Sequence, residues 1–220
     1  IWTGPDMKSL DMSTKPEIYQ KLTAAVEHPG VLILAGGRST RMGSDKAAVT
    51  LDGKSLLLRA IDFWKTVCPG APIYVSAGQQ EHQLSLPEGV TPVYDLIKDR
   101  GPMGGLQAAF RQCAQELLWV SAVDMPLLSS QAVELLSKKR CHCEDACVFT
   151  HDGRPEPLLG LYRSTCLPVI DGLLDAGENR MSVLLDSVKT TRVPLKNTDW
   201  VRNVNTPQEL TRLRQEQNHE

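Results

Sequence analysis

One stretch constrains this chain more than any other: Val31-Leu32-Ile33-Leu34-Ala35-Gly36-Gly37-Arg38-Ser39-Thr40-Arg41-Met42-Gly43-Ser44-Asp45-Lys46. An apolar run without alternation reads as a buried strand, and such a strand needs cover on both faces. The strand breaks into a loop carrying Gly36, Gly37 and Gly43. Glycine lets a ligand approach the main chain closely. Arg38, Arg41 and Lys46 place three cations in the same loop. Main-chain N–H groups with fixed cations suit a polyphosphate.

Two common phosphate loops are excluded. Gly53-Lys54-Ser55 lacks the glycine five residues earlier that a Walker A loop requires; Ala48 stands there. The dinucleotide fingerprint Gly-x-Gly-x-x-Gly is absent from the 36–46 loop.

Downstream, strand-like and helix-like segments alternate. A helix is expected from Ser55 to Val67. Strands follow at 73–75 and 90–94, then a glycine-rich loop at 99–106 and a helix over 106–117. The most apolar strand is Leu118 to Val123, stopped by Asp124-Met125-Pro126, and Ser129 or Ser130 caps a helix through Leu136 to Lys139. Strands at 146–149 and 158–162 and helices at 166–174 and 182–187 follow. Thr206 with Glu209 forms a capping box for a last helix from Pro207 to Gln215. The alternation predicts an α/β fold: three Rossmann-like layers, with a mostly parallel central sheet flanked by helices. Ligands in such sheets sit beyond the carboxyl ends of the strands, where Lys46, Asp95, Gly104 and Asp124 fall.

The 220 residues suffice for one such domain, expected over 30–220, with residues 1–29 as an appendage of a tag or truncation remnant and a short helix over 15–26. A net charge of −2 gives no electrostatic footing for nucleic acid, and no apolar run approaches a membrane span. Six cysteines without a secretory leader read as reduced thiols in a cytoplasmic protein. Cys141-His142-Cys143 with Cys147 lacks the partner pair of a structural zinc site.

Asp124 ends an apolar strand, where a carboxylate is costly unless it is paired or functional. It serves either a Mg²⁺ ion, which favours one or two carboxylates plus phosphate oxygens, or an Asx turn before Pro126. Asn205, in Asn203-Val204-Asn205-Thr206-Pro207, offers a hard amide oxygen or ordinary turn chemistry before a helix.

The stretch Leu34 to Lys46 resembles the nucleotidyltransferase signature Leu-Ala-Gly-Gly-x-Ser-x-Arg-Met-Gly-x-Asp-Lys, and most closely that of the molybdenum cofactor guanylyltransferases. Asp124-Met125-Pro126 and Asn203 to Pro207 match further family motifs in the family's order. The resemblance implies transfer of GMP from GTP to the terminal phosphate of molybdenum-bearing molybdopterin, with release of pyrophosphate. It implies GTP contacts at Leu34, Ala35, Gly36, Lys46, Asp95 and Asp124, catalytic roles for Arg41, Lys46 and Asp124, and Mg²⁺ on Asp124 and Asn205. Gly104 and Gly105 are expected to admit the base or ribose close to the backbone.

Arg154 and Arg180 resemble residues on the molybdopterin side, and an exposed surface role is the alternative for each. Ser76 stands where the family often has asparagine, so that contact is not carried over. Gly36 matches the guanylyl form Leu-Ala-Gly-Gly rather than the cytidylyl form Leu-Ala-Ala-Gly. The alternatives are a cytidylyltransferase for the same cofactor, a sugar-phosphate nucleotidyltransferase and a non-catalytic cofactor-delivery adaptor. Expected partners are the two substrates and, transiently, molybdopterin-delivering or cofactor-accepting proteins.

Overall fold

A computed structural model describes residues 28–35, 49–78, 85–140, 144–204, 208, 209 and 212. The expected appendage helix, the 36–48 loop that includes Arg41 and Lys46, the Cys141–Cys143 segment and Asn205 lie outside the described residues.

In chain order the strands are β1 (Gly30–Leu34), β2 (Thr50–Leu51), β3 (Lys54–Ser55), β4 (Ile73–Ser76), β5 (Val90–Val93), β6 (Leu117–Ala122), β7 (Ala146–His151), β8 (Arg154–Arg163) and β9 (Thr190–Pro194). The helices are α1 (Leu56–Val67), α2 (Gly101–Gln112), α3 (Ser130–Lys139), α4 (Leu167–Asp175) and α5 (Met181–Ser187). β2 and β3 form a small hairpin of their own, and the other seven strands form one sheet in the order β5-β4-β1-β6-β8-β7-β9. β5, β4, β1 and β6 run parallel. β8 reverses between β6 and β7, and β9 pairs parallel with β7. The expected mostly parallel, three-layer sheet is therefore present, with one reversed strand that the sequence pattern did not announce.

Side-chain alternation along β1 divides the core. Val31 and Ile33 face a cluster built with Leu56, Ile61 and Trp64 of α1 and Leu136 of α3. Leu32 and Leu34 face the other layer, with Met103 and Leu106 of α2, Ile170 of α4 and Leu184 of α5. Burial on both faces explains why the strand reads as unbroken apolar sequence. A buried indole needs a partner for its N–H, and Trp64 donates it to the Ser121 hydroxyl at 2.8 Å.

The helix expected from Ser55 to Val67 is present as α1, and the structure adds its cap: the Ser55 hydroxyl accepts from the Leu58 N–H at 3.2 Å. Ser129 caps α3 by accepting from Gln131. α2 corrects one expectation: it starts at Gly101 rather than Leu106, taking in most of the supposed loop. Pro102 sits in its first turn, where the missing N–H costs nothing. β9 was not anticipated, because its Thr-Thr-Arg-Val-Pro sequence carries one buried residue, Val193. Among the described residues no helix is long and apolar enough to cross a membrane.

Candidate functional site

The strand order reverses direction at β1, which has β4 on one side and β6 on the other. In a doubly wound sheet this switch point opens a crevice at the carboxyl ends of the two central strands. Leu34 and Ala35 end β1 at that place, and Asp124 follows the end of β6.

Backbone hydrogen bonds hold the edge together. The Val123 N–H donates to the Leu34 carbonyl at 3.1 Å, and the Ala35 N–H donates to the Ser76 carbonyl at 3.3 Å. The Ala77 N–H donates to Val93 at 2.9 Å, and the Asp95 N–H to Gly78 at 2.7 Å. The loops after β1, β4, β5 and β6 are thus tied side by side.

Asp124 is only 6% exposed. Its carbonyl accepts from the Val204 N–H at 2.9 Å, which docks the Asn203-Val204 segment beside it. That segment follows a 3-10 turn at Thr198–Val201, whose Trp200 packs against Phe149 with ring centroids 6.0 Å apart and planes tilted by 51°. The Asn203 Oδ1 is buried with no hydrogen-bond partner among the described residues. A buried unpaired amide oxygen is costly, and a cation or a donor from a ligand would satisfy it. The sequence singled out Asn205 in this segment; the structure adds Asn203, two residues earlier, by that orphaned oxygen.

No group of three or more His, Cys, Asp or Glu suited to a metal occurs among the described residues. Mg²⁺ does not require one, since it completes its shell with waters and phosphate oxygens. One buried carboxylate with a neighbouring amide oxygen fits that donor chemistry.

Asp95 is half-buried and its Oδ1 has no hydrogen-bond partner among the described residues. Burial pushes its carboxyl above the usual carboxylate range.

Gly104 and Gly105 are buried in α2, and side chains occupy the direction that a Cβ would take at each. A Cβ on Gly105 would stand 2.8 Å from the Ser76 Oγ and 3.0 Å from Leu34 Cδ2. A Cβ on Gly104 would stand 2.6 Å from the Cβ of Arg100. Gly105 lets α2 lie close to the ends of β1 and β4, and Gly104 leaves room for the stem of Arg100.

The reversed strand brings the second group of candidates. Leu159 of β8 pairs with Ser121 of β6, so residues 154–158 run on past that pairing, along the edge that holds Asp124. Arg154 is exposed there, next to the turn through Asp152 (φ 49°) and Gly153 (φ 73°). The register of β7 with β8 slips between Val148 and Phe149. The Tyr162 hydroxyl donates to the Pro157 carbonyl at 2.7 Å and fixes the bulged segment. Gly160 is needed at the slip, because a Cβ there would meet the Cys147 carbonyl at 2.8 Å.

Arg180 precedes α5 and is engaged by Glu178, with Nε 2.9 and 3.0 Å from the two carboxylate oxygens. Hydrogen bonds from Arg180 hold Glu178 down to about 2. Cys147, the described member of the cysteine cluster, is buried with its thiol pushed up to about 12 by desolvation, which leaves it unreactive.

Comparisons with known proteins agree with this geometry. Residues 31–191 match the family model of the MobA-like NTP transferase domain. The chain is 33% identical over 192 residues to a probable molybdenum cofactor guanylyltransferase of Mycobacterium marinum, covering 84% of this chain and 92% of the relative. It is 32% identical over 179 residues to a protein of the same description from Mycobacterium tuberculosis, covering 79% of this chain and 87% of the relative. A crystal structure of molybdopterin-guanine dinucleotide biosynthesis protein A from Archaeoglobus fulgidus superposes with a TM-score of 0.74 at 26% identity, over 87% of this chain and 100% of that one. A family match that spans most of the chain, on a sheet whose switch point carries the family's motifs, makes this protein a nucleotidyltransferase belonging to the MobA-like NTP transferase family.

Proposed function

We propose that the protein transfers GMP from GTP to the terminal phosphate of molybdenum-bearing molybdopterin, yielding the guanine dinucleotide cofactor and pyrophosphate. The observation that carries this reading is the bracketing of buried Asp124. One backbone bond ties the residue before it to the end of β1, where the Leu34-Ala35-Gly36-Gly37 loop begins; another ties it to the Asn203-Val204 segment. The names of the curated relatives support the choice of substrates.

The reaction is a displacement at the α-phosphorus. The pterin's phosphate oxygen forms the new P–O bond, and the bond to the β-phosphate oxygen breaks with its electron pair on pyrophosphate. No covalent enzyme intermediate is needed, so the protein's work is alignment and charge stabilisation. Asp124, with the amide oxygens of Asn203 and Asn205, would hold Mg²⁺, which supplies charge neutralisation at the phosphates. Arg41 and Lys46 stabilise charge on the α-phosphate and on departing pyrophosphate. Leu34, Ala35 and Gly36 lie along the nucleotide. Arg154 serves the second substrate's phosphate from the reversed strand. Arg180 would have to exchange Glu178 for that phosphate, which makes it the weaker binder of the two. The setting is the cytoplasm.

The test is pyrophosphate release with each of the four NTPs, with and without molybdopterin. Release dependent on both GTP and molybdopterin is expected. Preference for CTP would establish the cytidylyl alternative, and nucleotide binding without release would establish a delivery adaptor.

A further inference from the structure

Resting on the reading of GTP as the nucleotide, we infer that Arg100 is a specificity-determining residue that reads the O6/N7 edge of guanine while Asp95 takes the N1–H/N2–H₂ edge. The two residues bound one loop, between the end of β5 and the start of α2, at the carboxyl edge of the sheet.

Arg100 is half-buried, and no hydrogen bond or ion pair engages its guanidinium among the described residues. That sets it apart from the arginines that are paired, and its partial burial sets it apart from the exposed Arg154. Arg111, further along the same helix, donates to Asp171 at 2.6 Å, Arg192 is paired with Asp186, and Arg180 with Glu178. The stem of Arg100 lies over the bare backbone of Gly104, where a Cβ would stand 2.6 Å from Arg100 Cβ and 3.7 Å from Cγ. The turn that presents it has two positive φ angles, 60° at Asp99 and 59° at Gly101. A half-buried guanidinium with no partner gives up no internal bond when it takes a ligand.

The neighbouring groups select the ligand's chemistry. The orphaned Asp95 Oδ1 is an acceptor in want of an N–H donor. Leu96 and Ile97, between Asp95 and Arg100 in the chain, are 51% and 40% exposed, and they are two of the three large apolar side chains exposed among the described residues. Acceptor, apolar pair and planar cation in one loop match guanine: N–H donors on one edge, a flat apolar face, and two acceptors, O6 and N7, on the adjacent edge. An arginine fork spans O6 and N7 together, and no other common base offers that pair of acceptors. Cytosine has no N7, and adenine presents a donor at the position of O6.

The test is calorimetric binding of GTP, 7-deaza-GTP and CTP, each with Mg²⁺, to the wild-type chain, Arg100→Ala and Arg100→Lys. Wild type is expected to bind GTP about tenfold more tightly than 7-deaza-GTP, the scale of one bidentate base contact. Arg100→Ala should bind the two alike, with CTP affinity equal to wild type. Arg100→Lys keeps the charge but not the fork and should lose most of the discrimination. Equal binding of GTP and 7-deaza-GTP by wild type overturns the inference, as does full discrimination by Arg100→Lys. Equal weakening of GTP and CTP in Arg100→Ala would make the residue a phosphate contact and overturn it too. If wild type prefers CTP, the guanylyl reading fails and the inference falls with it, an outcome distinct from the others.

Discussion

Gly105 sets the distance between α2 and the strand ends, and the prediction it supports is quantitative. Replacing it with alanine places a methyl 2.8 Å from the Ser76 Oγ, 3.3 Å from the Ser76 Cβ and 3.0 Å from Leu34 Cδ2. Overpacking of this kind costs about 1–3 kcal/mol. Against that, Gly→Ala inside a helix gains about 1 kcal/mol. The net cost should therefore reach up to about 2 kcal/mol, which in a domain of this size lowers Tm by up to roughly 4–8 °C.

Ser76→Ala removes the nearest obstacle, the Oγ at 2.8 Å, and leaves the contacts at 3.0 and 3.3 Å. In that background Gly105→Ala should cost about 1 kcal/mol less, a coupling of that size in the double-mutant cycle. Chemical denaturation of the four proteins measures it. Because α2 carries Arg100 at its start, Gly105→Ala should also weaken GTP binding, and Ser76→Ala should restore part of the loss. An equal cost of Gly105→Ala in both backgrounds would refute the claim that Ser76 sets the limit on α2.

Other expectations follow from the same edge. Asp124→Asn should lower turnover by about 10²-fold or more with Tm little changed, the scale for one transition-state charge stabiliser, read by pyrophosphate release. Lys46→Ala should weaken GTP binding and slow transfer, with Lys46→Arg restoring only part; unchanged affinity and rate would take the loop away from the phosphates. Gly36→Ala should reduce the GTP/CTP ratio of kcat/KM by no more than about 1–3 kcal/mol of discrimination. Burial raises the Asp95 carboxyl, so the unliganded fold loses this group's contribution to stability as pH rises through that raised value, whereas GTP binding needs the carboxylate and weakens as pH falls through it. Asp95→Asn should flatten both pH profiles and weaken GTP binding.

Legibility in the sequence followed the kind of signal each element carries. β1 and β6 are buried on both faces, so their side chains are apolar except Ser121, which accepts from Trp64, and both strands stood out. The Ser129 cap was legible because side-chain capping is a local event. The start of α2 was hidden by its composition. Gly-Pro-x-Gly-Gly reads as a loop, and only the contacts with Ser76, Leu34 and Arg100 show those glycines to be clearance for packing. Arg100 was missed for a related reason: a lone arginine before Gly-Pro has no sequence signal, and what marks it is partial burial without a partner in three dimensions. Asp124 was read correctly as a buried carboxylate. Its tie to Val204 spans eighty residues, and no local pattern encodes it.

The reversal of β8 has a functional consequence that a fully parallel sheet would not provide. A parallel strand beside β6 would bring only its last residue and the following loop to the carboxyl edge. Because β8 enters antiparallel, it begins at that edge, and residues 154–158 form a paired, bulged wall there instead of a free loop. The wall is tied at both ends, by the turn at Asp152-Gly153 and by the Tyr162–Pro157 hydrogen bond. β9 then returns parallel to β7 and delivers the chain, through the Trp200 turn, to the carbonyl of Asp124. The parallel half of the sheet thus offers the switch-point crevice suited to a nucleotide, while the mixed half offers a rigid rim on the opposite side of Asp124. An in-line displacement needs two reactants held on either side of one phosphorus. A sheet that changes direction just past the strand ending at Asp124 builds the two sides from different parts of the chain, so under the proposed function the second substrate's side can vary without disturbing the nucleotide's.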